Sequence, residues 1–176
     1  MCRIIPFGPH GPRFQSVTEI YRQEFIAHEP EAEEAKQAIL VHKDRVENDG
    51  FIGLVAVNTR NDVVGFVYGY ESSPKRTFQR GIQGQVNKSE LADWFCDCLI
   101  LEALAVVPAY RRQSIGTRLH NNFLERSPYE TALLVTGEEN ERAQQFYEEK
   151  GWKIVSYPIK SSSGEQKLLM GRRTDE

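Results

Sequence analysis

Apolar and polar positions alternate in short, well-bounded blocks along this chain. Arg3 to Phe7 is a brief apolar run before the turn-rich Gly8-Pro9-His10-Gly11-Pro12, which predicts a first strand and a loop. From Arg13 to about His28, Phe14, Val17, Ile20, Tyr21, Phe25 and Ile26 recur at helical spacing. Pro30 with Glu29, Glu31, Glu33 and Glu34 reads as the first turn of a second helix, because negative side chains oppose the positive end of a helix dipole. Asn48-Asp49-Gly50 is its stop signal. Phe51 to Val57 and Val63 to Tyr70 are rich in β-branched and aromatic residues. They flank Thr59-Arg60-Asn61-Asp62 and predict a β-hairpin.

The pattern then breaks. Residues 71 to 90 are polar and carry Pro74, Gly81 and Gly84, a connection of the length that usually serves a function. Trp94 to Val107 is apolar, bounded by Pro108, and predicts a central strand. Ile115, Leu119, Phe123 and Leu124 form one face of a third helix, and Thr131 to Val135 a further strand. Asn140 to Lys150 is a fourth helix, with Ala143, Phe146 and Tyr147 on one face and Gly151 just past its end. Trp152 to Tyr157 and Gln166 to Met170 close the chain as strands. The order βααββ–loop–βαβαββ predicts an α/β fold, a mixed sheet covered by helices.

Composition narrows the class without naming a function. A length of 176 residues predicts a single domain over 1–176. The balance of 22 Lys plus Arg against 25 Asp plus Glu, a net of −3, argues against a dedicated nucleic-acid binder, which needs a basic stripe. No run approaches the roughly 20 apolar residues that cross a bilayer, and Met1 to Pro9 does not read as a signal peptide. Three cysteines make no paired framework, so a reduced, cytoplasmic chain is expected, with Cys96 and Cys98 as small core residues. His10, His28, His42 and His120 are scattered, and no metal site is expected.

The most informative stretch is Leu101-Glu102-Ala103-Leu104-Ala105-Val106-Val107-Pro108-Ala109-Tyr110-Arg111-Arg112-Gln113-Ser114-Ile115-Gly116-Thr117. It reads as a buried strand, a tight basic loop and a helix start. The first N–H groups of a helix lack intrahelical partners and carry about half a positive charge. Small residues at Ser114, Gly116 and Thr117 let an anion approach that backbone, and Arg111 and Arg112 add charge beside it. This is a phosphate cradle, but neither a P-loop nor a dinucleotide fingerprint, whose lysine and spaced glycines are absent.

Here the sequence resembles the GCN5-related N-acetyltransferase (GNAT) superfamily. Leu104-x-Val106-x-Pro108-x-Tyr110-Arg111 leads into the Arg/Gln-x-x-Gly-x-Gly/Ala signature, matched as Arg111-x-x-Ser114-x-Gly116 with serine in place of the first glycine. Asn140-Glu141-Arg142-Ala143-Gln144-Gln145-Phe146-Tyr147-Glu148-Glu149-Lys150-Gly151-Trp152 resembles the family's Asn-x-x-Ala-x-x-Phe-Tyr-x-x-x-Gly-Phe/Trp segment. Val63-Val64-Gly65-Phe66 is a weaker third match. The resemblance implies a mixed, mostly antiparallel sheet of about seven strands with about four helices. It also implies transfer of an acetyl group from acetyl-CoA to an amine, without a metal.

The resemblance implies roles residue by residue. The pantetheine arm pairs with Leu104, Ala105 and Val106. The pyrophosphate sits on backbone N–H groups of Arg112, Gln113, Ser114, Ile115, Gly116 and Thr117, with Arg111 and Arg112 supplying longer-range attraction. The alternative for the two arginines is a solvated pair at a helix start. Asn140 touches the CoA arm and also reads simply as an N-cap; Ala143 and Phe146 lie beside the cofactor. Tyr147 is the candidate general acid for the departing thiolate, or else a core aromatic. Glu102 shares a strand face with Ile100, Leu104 and Val106, where a carboxylate needs a partner or a task. Its task would be to take an ammonium proton, and the alternative is a pairing with Lys or Arg at the sheet edge. The acceptor is expected at residues 13–48 and in a substrate-side loop at 71–94. A primary amine of a small molecule attacking directly in a ternary complex is the leading reading. A peptide amine and a catalytically silent CoA-binding module are the rivals, and a homodimer stays open.

Overall fold

The computed structural model describes residues 1–26, 50–72, 82, 84–87, 89, 91–161 and 164–175. Strand β1 (Arg3–Pro6) is followed by helix α1 (Arg13–Tyr21), which continues as a π-helical turn over Arg22–Ile26. Strands β2 (Ile52–Val57), β3 (Val63–Ser72) and β4 (Cys98–Val106) lead to a 3-10 turn at Pro108–Tyr110 and helix α2 (Ile115–Glu125). Strand β5 (Thr131–Gly137), helix α3 (Glu141–Glu148) and strands β6 (Lys153–Lys160) and β7 (Gln166–Arg173) complete the chain. The strands form one seven-stranded sheet in the order β1-β2-β3-β4-β5-β7-β6. The β4–β5 ladder is parallel, whereas β1–β2, β2–β3, β5–β7 and β6–β7 are antiparallel. This is the mixed sheet that the element order implied. The helix expected over about 29–48 lies outside the described residues.

The chain divides into two compact units, Met1–Tyr70 with Glu102–Arg126, and Glu71–Leu101 with Ser127–Glu176. In the first, α1 lays Val17 and Ile20, three residues apart, against Val55, Val57, Phe66, Tyr68, Ala103 and Ala105. The opposite face of the same strands meets α2. Gly65 pairs with Ala56 in the β2–β3 register and shares that side. A Cβ added to Gly65 would lie 2.9 Å from the Ala105 carbonyl oxygen, 3.2 Å from Val106 and 3.3 Å from Leu119. Strands covered on both sides have to be apolar almost throughout, as Gly53 to Val57 are, rather than alternating.

In the second unit, Leu133, Leu134, Leu169 and Met170 of β5 and β7 are fully buried, with Trp152 beside them in the core. Two expectations need correction there. The strand predicted from Trp94 begins at Cys98, because the Trp94 ring leaves the strand path to cover Gly171, whose added Cβ would lie 2.8 Å from it. For the same reason Cys96 is exposed in a bend, and only Cys98 is a core cysteine. Among the described residues no helix is long and apolar enough to cross a membrane.

The crowding at Gly65 is checked by Gly65→Ala. The methyl group meets backbone at Ala105, which cannot swing aside, so a loss of about 1–3 kcal/mol is expected by urea denaturation.

Candidate functional site

The end of β4 builds the loop expected to cradle a phosphate. Val107 N–H donates to the Val64 carbonyl at 3.0 Å and holds the strand to β3 up to its last residue. Pro108 then stops the ladder, since it has no N–H, and starts the 3-10 turn, in which Tyr110 N–H bonds the Val107 carbonyl at 2.9 Å. Arg111 is extended (φ −69°, ψ 162°), while Arg112 and Ser114 are left-handed, at φ 60° and φ 58°. Ser114 precedes α2 without a side-chain cap on the helix. Ile115 and Leu119 anchor α2 in the core, so the exposed residues Arg112, Gln113 and Ser114 lie at the helix N-terminus. Arrested there, the uncapped N–H groups suit a polyphosphate.

Side chains from elsewhere in the same unit hold this loop. The Tyr110 hydroxyl accepts a hydrogen bond at 3.0 Å from Asn58 Nδ2, which also donates to Asp62 Oδ2 at 2.9 Å. Asn58 Oδ1 accepts from the N–H groups of Arg60 and Asp62, so this buried amide is engaged at both ends. Arg111 Nε donates to the Val106 carbonyl at 2.8 Å, and its Nη2 pairs with Glu24 Oε2 from the π-helical turn. Arg111 thus has protein partners, whereas Arg112 is exposed and makes no ion pair among the described residues.

Along β4, Leu101, Ala103 and Ala105 are buried and Glu102, Leu104 and Val106 are half-buried. Of the residues expected to bind cofactor, Ala105 and Ile115 turn their side chains into the core, leaving only backbone for a ligand. Glu102 Oε2 accepts a hydrogen bond from the Tyr70 hydroxyl at 3.0 Å. That phenol is buried on the neighbouring strand. Sequence spacing gives no signal for Tyr70, which is 32 residues away, because only the β3–β4 adjacency joins them.

In the second unit, α3 carries the other candidates. Asn140 is the N-cap, its Oδ1 accepting from Ala143 N–H at 3.2 Å, and Gly151 at φ 82° ends the turn that follows. Gln144 Nε2 donates to the carbonyls of Gly137 and Glu138 and fixes the β5–α3 corner. Phe146 is half-buried beneath the Lys150 ammonium, 3.8 Å from its ring centre. Tyr147 is buried, its ring edge-on to Phe146 at 5.2 Å and to Trp152 at 5.7 Å. Burial pushes its phenol well above the ordinary tyrosine range and keeps it protonated. Among the described residues no three His, Cys, Asp or Glu side chains cluster to hold a metal ion.

The sequence matches the Acetyltransferase (GNAT) family over residues 14–152, most of the chain. The chain belongs to that family. Its fold is similar to that of NAA60 from Arabidopsis thaliana in complex with acetyl-CoA, with 16% identity, a TM-score of 0.69 and 100% of each chain covered. It is also similar to aminoglycoside 6'-acetyltransferase type Ii (20% identity, TM-score 0.67, 98% of this chain and 97% of that one). A third likeness is to the ribosomal-protein-S18-alanine N-acetyltransferase from Escherichia coli (14% identity, TM-score 0.64, 99% of this chain and 94% of that one). No curated protein sequence matches the chain.

In this GNAT protein, serine stands at a position where the motif has glycine, and the backbone explains the glycine. At φ 58° a Cβ crowds the backbone, a strain of roughly 1–2 kcal/mol that glycine avoids. Ser114→Gly relieves that strain and loses part of it to greater freedom in the unfolded chain. A net gain of about 0.5–1 kcal/mol by urea denaturation is expected.

Proposed function

We propose that this GNAT protein transfers the acetyl group of acetyl-CoA to a primary amine of a small molecule by direct attack in a ternary complex. The observation that carries the reading is the β4 terminus, where an apolar half-buried face bearing one carboxylate runs directly into an uncapped helix start. The residues present fit the donor. The exposed residues Arg112 to Ser114 and the small Gly116 and Thr117 suit a pyrophosphate, and Leu104 and Val106 suit the pantetheine arm. The β4–β5 ladder pairs Leu99 and Ile100, and the arm takes the later backbone groups of β4. Acetyl-CoA supplies an acyl thioester, so the C–N bond forms as the C–S bond breaks.

The chain's own groups then manage protons. Glu102, held by Tyr70, accepts the proton that the attacking ammonium must lose. Tyr147 faces the opposite task at the sulfur. A thiol loses its proton near pH 8.5, whereas this buried phenol resists ionisation beyond its ordinary 10.0. Handing the proton over completely is therefore uphill. Tyr147 stabilises the leaving thiolate chiefly as a hydrogen-bond donor. None of the three cysteines lies in the loop or in α3, which supports direct attack over a covalent acyl-enzyme. The fold likeness to NAA60 and to the S18-alanine N-acetyltransferase motivates a peptide α-amine as the second reading.

Thiol release from acetyl-CoA, followed with a panel of small amines and peptide α-amines, tests this. Turnover with small amines is expected. Turnover with peptides alone selects the second reading, and background release for every amine despite CoA binding leaves a silent binding module. Tyr147→Phe is expected to lose about 10²-fold or more in kcat with little change in CoA affinity. Glu102→Gln is expected to alter the acid limb of the pH–rate profile, and an unaltered profile removes it as the base.

A further inference from the structure

Arg112 and Ser114 both hold left-handed backbone with a side chain attached. Such residues persist only where the surroundings over-determine them. On one side of them the buried Ile115 and Leu119 fix α2. On the other side stand the Asn58–Tyr110 hydrogen bond and the two-ended Arg111, which spans the Val106 carbonyl and the Glu24 carboxylate. The Arg111 side chain is 31% exposed and that of Glu24 only 19%, so the pair is screened less than a fully exposed one. Its position also has an electrostatic reason. Arg111 precedes the α2 N-terminus, an approach where positive charge is unfavourable, and the Glu24 carboxylate offsets that charge. Glu24 is offered by a π-helical turn, the wider coil that follows α1.

We propose that Arg111 holds the loop rather than the phosphate, and that Glu24 is the positioning residue that keeps it there. Resting on the acetyl-CoA reading above, this assigns to Glu24 a part in donor affinity for which the sequence motifs have no place. Glu24 touches neither substrate nor reacting atoms. It neutralises Arg111 and fixes its planar fork, so that the pyrophosphate is bound by backbone N–H groups in a preset conformation.

The two possible roles of Arg111 predict opposite signs for one isosteric change. If Arg111 binds phosphate, Glu24→Gln frees it and CoA binds more tightly. If Arg111 anchors the loop, the same change loosens the cradle and CoA binds more weakly. Titrations with CoA and with pantetheine, which lacks the pyrophosphate, read this directly. For Glu24→Gln the expected result is a CoA Kd raised roughly three- to tenfold with the pantetheine Kd unchanged. The double variant Glu24→Gln/Arg111→Gln is expected to bind CoA no more weakly than Arg111→Gln alone. Tighter or unchanged CoA binding by Glu24→Gln overturns the proposal. So does an equal loss for CoA and pantetheine, which signals general damage, or additive losses in the double variant. Failure of the unaltered protein to bind CoA overturns the donor reading first and this assignment with it.

Discussion

The constraint on which the rest depends lies between Val106 and Ile115. A strand packed between two helices has to end, turn and become a helix that starts without a side-chain cap. Pro108 stops the ladder, and two left-handed residues make the turn. Each of these is unfavourable taken alone. They are tolerated because Ile115 and Leu119 bury one end of the turn, while Asn58, Val106 and Glu24 hold the other. The helix terminus without a side-chain cap is thus supported by its neighbours, and on the proposed reading it is where the donor binds.

Charge at this surface is distributed differently from what residue counts convey. Two adjacent arginines suggest a doubly positive loop, yet one of them is paired with a carboxylate from another element. On the proposed reading the remaining attraction for an anion comes from Arg112 and from aligned backbone dipoles, which cost no side-chain entropy when the ligand binds. On that reading a chain with a net charge of −3 needs no basic patch to hold a polyphosphate.

The same rule, that a buried polar group needs a partner or a task, organises the chemical residues. Glu102 has Tyr70, and the pairing keeps a carboxylate acceptable on a face otherwise made of Leu104 and Val106. Tyr147 is buried against Phe146 and Trp152, and the burial that makes it a core residue also makes it a phenol that keeps its proton. Packing and chemistry are thus not alternatives at that position.

The sequence by itself determined the mixed sheet, the N-cap at Asn140, the stop at Gly151 and the strand-turn-helix around Pro108. All of these rest on local chemistry, which spacing, capping preference and turn residues record along the chain. It misplaced the start of β4, because the apolar Trp94 and Phe95 have the look of strand residues until Gly171 offers Trp94 a surface to cover. It described Arg111 by its neighbours in the chain and so gave it to the phosphate. Only the tertiary structure brought Glu24 to it, and only strand adjacency brought Tyr70 to Glu102. Partners 32 and 87 residues apart leave no periodic mark in a sequence, because sheet order and helix packing, not chain distance, decide which side chains meet.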